Sequence, residues 1–283
     1  MIHLSHYAYL TLQEANVGLF EALILGIVQG ATEFLPISSS GHLVLLPAAL
    51  GWASPPLVFD TTVHLATLIA VVVVFWRDLR GLIVSWWQGL WRGQPFKSTQ
   101  SRLAWWVILG TVPGILTGLF LKKTIVSLFE SPRAAGIFLL LTALLLVLAE
   151  VFGQRRRDFP EITWLDSILI GIGQAAAIAP GLSRSGTTIS VGMFRGLNRE
   201  AAARFSFILS VPIIAGAGFE QLAELVRHGG LSAEAPLLLV GFVAAAVSGY
   251  AAIRMFLAYL RKRPLYPFAA YCLVVGVLAI TLL

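Results

Sequence analysis

Charge is scarce in this 283-residue chain: Asp, Glu, Lys and Arg together make up 12% of it, about half the share found in an ordinary soluble domain. That scarcity excludes a typical soluble enzyme. Cysteine is nearly absent as well. With Cys272 alone, neither an intramolecular disulfide framework nor a cysteine-based metal cluster can form. The basic residues behind the net charge of +6 do not line up as a stripe with interleaved aromatics, so no nucleic-acid surface is read. The Met1 to Asn16 leader lacks a basic segment and does not read as a cleaved signal peptide. What fills the chain instead is apolar: 58% hydrophobic residues and a mean hydropathy of +0.84. No compact fold of this size hides that much apolar surface from water, so the partner it requires is a lipid bilayer.

A helix crossing about 30 Å of hydrocarbon needs about 20 predominantly apolar residues. Six stretches qualify: Leu57 to Trp76, Leu103 to Leu121, Ala134 to Phe152, Phe205 to Phe219, Pro236 to Leu260 and Pro264 to Leu283. The fourth reaches full length only by running into its flanks. Val17 to Gly51 and Trp164 to Leu197 are apolar too, but Pro, Ser and Gly interrupt them midway; such residues end a helix and leave backbone groups seeking partners. Each reads as a re-entrant hairpin of two half-helices. The expected fold is an all-α polytopic membrane protein in which residues 1–283 form one integral membrane domain, with about six transmembrane helices and two re-entrant helical hairpins.

Fourteen of the twenty basic residues fall in four connections, 77–102, 155–157, 195–204 and 261–263. Short cytoplasmic loops carry such an excess, which assigns these connections to the cytoplasm and both termini to the outside; Lys122 and Lys123 fit this worst. Glu150 and Asp166, near cytoplasmic ends, are expected to be solvated. Trp86, Trp87, Trp91, Trp105 and Trp106 suit an interfacial belt, with Gly81 to Trp91 as an interfacial helix.

Compared at an offset of 145 residues, the two broken segments match at Gly26/Gly171, Ile27/Ile172, Gln29/Gln174, Ala31/Ala176, Ser38/Ser183, Ser40/Ser185 and Gly41/Gly186, seven identities over residues 26–42. An internal duplication follows, repeat 1 covering about 17–152 and repeat 2 about 164–283. Each half holds one hairpin and three spans. Because three is odd, the second copy is upside down relative to the first, and binding sites in such inverted-topology repeats lie where the broken helices meet.

In the first break, Gln29 and Glu33 are four residues apart and Glu21 lies eight before Gln29, so all three share roughly one helical face. A charge near the bilayer centre costs about 2.5–3.5 kcal/mol even on mild insertion scales, so Glu33 must face protein or water. Pro36 ends the half-helix, and Ser38-Ser39-Ser40-Gly41-His42 leads into the next, where free amides and the helix dipole favour an anion. The second break, Pro180-Gly181-Leu182-Ser183-Arg184-Ser185-Gly186-Thr187-Thr188, repeats this with an arginine at the position matching Ser39. Its planar fork suits two phosphate oxygens. If the breaks meet, one cavity gathers Glu33, His42, Arg184, several hydroxyls and two helix N-termini, a set for a phosphate ester or anhydride. The small residues also have a plain packing use, and Asp60 and His64 read as structural or rim residues.

With those residues in view, Gln29-x-x-x-Glu33-Phe-Leu-Pro-Ile-Ser-Ser-Ser-Gly-His42, Phe75-Trp76-Arg77, Pro180-Gly-Leu-Ser-Arg-Ser-Gly-Thr187 and Phe205-Ser-Phe-Ile-Leu-Ser-Val-Pro212 closely resemble the undecaprenyl-diphosphate phosphatases of the bacitracin-resistance family. The likeness runs from about Leu19 to the C-terminus. It implies a hydrolase of the bacterial inner membrane that removes one phosphate from the C55 isoprenoid diphosphate, recycling the monophosphate carrier for peptidoglycan synthesis, with help from a divalent cation, Mg²⁺ or Ca²⁺, in a cavity facing the periplasm. It also implies that bacitracin competes for the substrate and not for the protein, and it admits a homodimer. The family's acidic motif falls on Gln29 and Glu33, its Ser and His on Ser39 and His42, and its arginine on Arg184. Many members carry a glutamate where this chain has Gln29. A neutral amide coordinates a hard cation only weakly, which leaves Glu33 as the main metal ligand and Gln29 and Glu21 as weaker candidates.

In the expected mechanism Arg184, Ser38, Ser40, Gly41, Ser183, Ser185, Gly186, Thr187 and the helix amides grip the diphosphate. The nucleophile is Ser39, activated by His42 or Glu33, or a water activated by the same groups. Acid-phosphatase-type lipid phosphatases share Ser-Gly-His and Ser-Arg elements, but the positions of their following His and Asp hold Ser190 and Phe194 here. The remaining alternative is a transporter or flippase for an anionic polyprenyl lipid, since inverted repeats with broken helices serve that purpose too.

Overall fold

The computed structural model describes residues 17–126, 131–228 and 235–283, with the side chains of 121–126 and 221–228 excepted. The leader and the lysine pair 122–123 therefore lie outside the described side chains. Among the described residues there are eleven α-helices and no strand: α1 (Leu19–Phe34), α2 (Ser39–Leu50), α3 (Leu57–Val74), α4 (Trp76–Trp91), α5 (Thr99–Val126), α6 (Pro132–Phe152), α7 (Trp164–Ala176), α8 (Arg184–Phe194), α9 (Arg199–His228), α10 (Ala235–Leu260) and α11 (Tyr266–Leu282). Five are long and apolar enough to cross a membrane, Leu57–Val74, Thr99–Phe120, Pro132–Phe152, Arg199–Glu220 and Ala235–Leu260. The chain is thus a multi-pass membrane protein. The fourth expected span gains its length by extending into both flanks, and the sixth is the 17-residue α11, roughly 26 Å long at about 1.5 Å per residue.

Both expected helix breaks are present, and each has a local cause. Proline disfavours helical backbone in the residue before it, and Leu35, ahead of Pro36, is extended with ψ of 142°. Ser38 then adopts φ of 70° and its Oγ accepts from the Gly41 amide at 3.2 Å, opening α2. In the second break Pro180 is followed by Gly181 at φ +91°, pressed on the Ala135 backbone so that no side chain fits. Ser183 Oγ accepts from the Gly186 amide at 3.0 Å and opens α8.

Helices close in through glycines, as expected where no hydrophobic drive separates one apolar helix from another in lipid. Gly26 of α1 meets Gly241 of α10, Gly171 of α7 meets Gly110 of α5, and Gly136 of α6 meets Gly276 of α11. A buried aromatic cluster links the halves: Phe207 of α9 contacts Phe34 edge-on at 5.4 Å, and Phe75 and Phe256 at 6.2 Å each. Gly81 to Trp91, expected as an interfacial helix, falls within α4, whose one buried residue is Leu82 and whose Trp76, Trp87 and Trp91 are exposed.

At one end of the bundle all four arginine-rich connections are tied together. Glu150 and Asp166, expected to be solvated, are 3% and 0% exposed. The reason is pairing. Glu150 accepts from Arg199 at 2.7 and 2.5 Å, Arg155 at 2.8 Å and the Leu265 amide at 2.8 Å. Asp166 accepts from Arg157 at 2.6 and 3.2 Å, Arg195 at 2.8 Å and Thr163. Asp78 with Arg204 and Glu200 with Arg261 complete the set. Arg155, Arg157, Arg195, Arg199, Arg204 and Arg261 therefore have a structural use as well, pairing with acids that link the connections.

Candidate active site

The two helix breaks meet. Ser185 Oγ donates to the Leu35 carbonyl at 3.0 Å, and Arg184 Nη2 donates to Glu33 Oε1 at 2.7 Å. Thr142 of α6 braces the second break, donating to the Gly181 carbonyl at 3.1 Å and accepting from the Ser183 amide at 3.0 Å. Where the breaks touch lies a cavity of about 230 Å³ whose polar wall includes Glu33, Ser39, Asp60, His64 and Arg184. At about 30 Å³ per water it has room for a diphosphate group with some water, and not for a long lipid chain.

Glu33 is the hub. Its Oε1 takes Arg184; its Oε2 accepts from Ser39 Oγ and from Gln29 Nε2 at 3.0 Å, and His64 Nε2 stands 3.8 Å away. Its burial is compatible with a charge because a guanidinium and two further donors, Ser39 Oγ and Gln29 Nε2, bond to it. His64 Nδ1 lies 2.8 Å from the Asp60 carbonyl, which only accepts, so Nδ1 holds the hydrogen and Nε2 points to Glu33; the Asp60 carboxylate is 3.6 Å from the same nitrogen.

Of the expected phosphate-gripping residues, Ser38, Ser40, Ser183 and Arg184 line the cavity. Gly41, Ser185, Gly186 and Thr187 sit behind it: the Gly41 and Gly186 amides are already capped by Ser38 and Ser183, and Ser185 braces Leu35. The amides of Ser39, Ser40, Arg184 and Ser185 remain in the first helical turns, without an intrahelical acceptor. His42 does not reach the cavity either. It is four residues past Ser38, whose carbonyl lies 2.7 Å from its Nδ1, and its Nε2 lies 2.7 Å from Tyr271 Oη of α11, on which the ring stacks. Both ring nitrogens are thus occupied, and the histidine beside Glu33 is His64.

Asp60 and His64, expected as structural or rim residues, line the cavity, and His64 stands beside Glu33. Their signal was present: two ionisable residues four apart inside the apolar run of α3. Glu21 is not brought to the site. Twelve residues before Glu33, roughly 18 Å along α1, it accepts from the Gly18 amide at 3.1 Å.

Among the described residues no group of three His, Cys, Asp or Glu could hold a metal by itself. Glu33 and Asp60 nevertheless share the cavity, and Gln29 Oε1 is buried beside Glu33 with no hydrogen-bond partner. That oxygen set fits a hard cation that completes its shell with substrate phosphate oxygens and water.

Residues 22–278 match the family model described as Bacitracin resistance protein BacA. Proteins named undecaprenyl-diphosphatase are similar over nearly their whole length: one from Geotalea daltonii is 43% identical across 93% of this chain and 97% of its own. Another, from Moorella thermoacetica, is 44% identical over 92% and 96%, and one from Methanosphaera stadtmanae 39% over 93% and 98%. A family match across residues 22–278, together with relatives 39–44% identical over nearly their whole length, shows that the chain belongs to the BacA family of bacitracin resistance proteins.

Proposed function

We propose that the protein hydrolyses undecaprenyl diphosphate to undecaprenyl phosphate and inorganic phosphate, recycling the lipid carrier of cell-wall synthesis. The observation that carries this reading is the Glu33 carboxylate, which joins the serine turn of one break to the arginine of the other inside one cavity. The activity for which the relatives at 39–44% identity are named supports the substrate.

In this reading Arg184 exchanges Glu33 for oxygens of the terminal phosphate, helped by Ser183, Ser38, Ser40 and the first-turn amides. Ser39 Oγ attacks the terminal phosphorus and its proton passes to Glu33 Oε2. The bond from that phosphorus to the bridging oxygen breaks, the electron pair leaves with undecaprenyl phosphate, and His64, which enters as the imidazolium with a hydrogen on each ring nitrogen, gives its Nε2 proton to the leaving oxygen. Water then attacks the phosphoserine, His64 takes its proton, and Ser39 recovers its own from Glu33 as phosphate departs. The hydrogen bond from Ser39 to Glu33 favours this route over direct attack by water. His42 acts from behind, holding the Ser38 carbonyl. A divalent cation, Mg²⁺ or Ca²⁺, would be held by Glu33, Asp60 and the phosphate oxygens, and would neutralise phosphate charge.

The chain is also read as an inverted repeat of two re-entrant hairpins, each followed by three spans. Two features support that. Ser38 caps Gly41 as Ser183 caps Gly186, 145 residues later, and the first helix of each half packs through a glycine on a span of the other. The tied arginine connections suit the cytoplasmic side. Ile213 and Gly218, which line the cavity, are 14 and 19 residues past Arg199, roughly 21 and 28 Å along α9, so the cavity opens toward the opposite, periplasmic face of a bacterial inner membrane. One chain contributes every group, so a homodimer is compatible but not required. Bacitracin would compete for the diphosphate substrate.

The same inverted arrangement supports a second reading, transport of an anionic polyprenyl lipid. Inorganic phosphate released from C55 diphosphate by purified protein in detergent, where no gradient exists, separates the two. Turnover supports hydrolysis; folded protein without turnover favours transport.

A further inference from the structure

A second polar cavity, of about 350 Å³, lies at the arginine-rich end, where the end of α3 and start of α4 meet the first turns of α9 and the last turns of α10. Arg204, Arg254 and Arg261 line it with Asp78 and Glu200, over an apolar floor that includes Phe75 and Leu257. Both acids are committed. Asp78 accepts from Arg204, and Glu200 Oε1 accepts from Arg261 at 3.1 and 2.9 Å. Three guanidiniums against two carboxylates leave one positive charge, and it sits on Arg254, which has no hydrogen-bonding or ionic partner among the described residues. The Arg204 Nε is likewise buried without an acceptor.

Depth makes the unpaired charge meaningful. Arg254 is six residues before the end of α10, roughly 9 Å along the axis, and its neighbour Met255 is 71% exposed on the outer surface of the bundle. A guanidinium below the membrane surface is costly unless an anion or water accompanies it. Basic pockets between helices at that level suit lipid phosphates, and the apolar floor suits acyl chains more than a free anion. The reaction cavity is elsewhere: Arg204 is nine residues short of Ile213 on α9, roughly 14 Å.

We infer that this cavity binds the phosphate headgroup of an anionic phospholipid from the leaflet at the arginine-rich end. Arg254 and the Nε of Arg204 hold phosphate oxygens, and the acyl chains lie along the apolar flank.

The test uses full-length protein in neutral detergent, with thermal unfolding followed as phosphatidylglycerol, phosphatidylcholine or inorganic phosphate is added. Phosphatidylglycerol is expected to raise the unfolding temperature saturably, while the other two do not. Arg254→Gln is expected to weaken half-saturation about five-fold and to leave phosphate release from C55 diphosphate unchanged, with Arg254→Lys restoring most of the response. Arg261→Gln, which releases the Glu200 carboxylate to offset the charge on Arg254 and is expected to weaken the response likewise, serves as a second variant should Arg254→Gln not fold. A response to inorganic phosphate equal to that of the lipid overturns the inference, as does a wild-type lipid response in the glutamine variant that is measured.

Discussion

Replacing Ser39 by alanine separates two mechanisms that share every other residue. Ser39 is the first residue of α2, after the capping Ser38, and its hydroxyl donates to Glu33. Alanine keeps the cap and the helix and removes one oxygen. If water were the nucleophile, the loss would be that of a hydrogen bond to a charged group, about 1.5–3 kcal/mol, which at about 1.36 kcal/mol per decade corresponds to about 10- to 150-fold in rate. If Ser39 forms the phosphoserine, its removal takes away the reacting atom, and a loss above about 10³-fold is expected. The assay is phosphate release from C55 diphosphate in detergent, paired with acid quenching of substrate labelled in its terminal phosphate. Wild-type protein should retain label on Ser39 and the alanine variant none. A variant within about 100-fold of wild type, or wild-type protein that never takes up label, refutes the nucleophilic role.

The other expectations follow from the same geometry. Arg184→Lys keeps a charge beside Glu33 but loses the planar fork, so turnover should fall at least about 100-fold while the protein elutes as wild type does; retained turnover removes Arg184 from phosphate binding. His64→Gln should lower turnover by about 10²–10⁴-fold, whereas Tyr271→Phe, which removes only the contact to His42, should cost less than about ten-fold. The reverse order would return the proton-transfer role to His42. Gly181→Ala forces a side chain to φ +91° against the Ala135 backbone; the backbone conformation alone costs about 1–2 kcal/mol, so a lower unfolding temperature is expected, and an unchanged one would show the second break to be differently built.

Much of this architecture was legible in the sequence because a membrane punishes exceptions. Glu33 and Arg184 stood out as charges inside apolar runs, and the internal repeat pointed to a site where the two breaks would meet. Asp60 and His64 were harder. A pair spaced by four near a helix end looks the same whether it faces a rim or a cavity, and only the packing of α3 against α9 and α10 turns it toward Glu33. His42 went the other way, since its partner Tyr271 is 229 residues distant and nothing local announces that contact. Glu150 and Asp166 were misread for a similar reason. Position near a helix end suggested water, but arginines from other connections, Arg199 for the one and Arg195 for the other, close over them.

Hydrolysis by the Glu33–Arg184 cavity is tested most directly by inorganic phosphate released from C55 diphosphate by the purified, monodisperse protein in detergent, with and without a chelator. Release that stops in Arg184→Lys and falls with chelation is the predicted result. Folded wild-type protein that releases no phosphate, with divalent cation supplied, would contradict it.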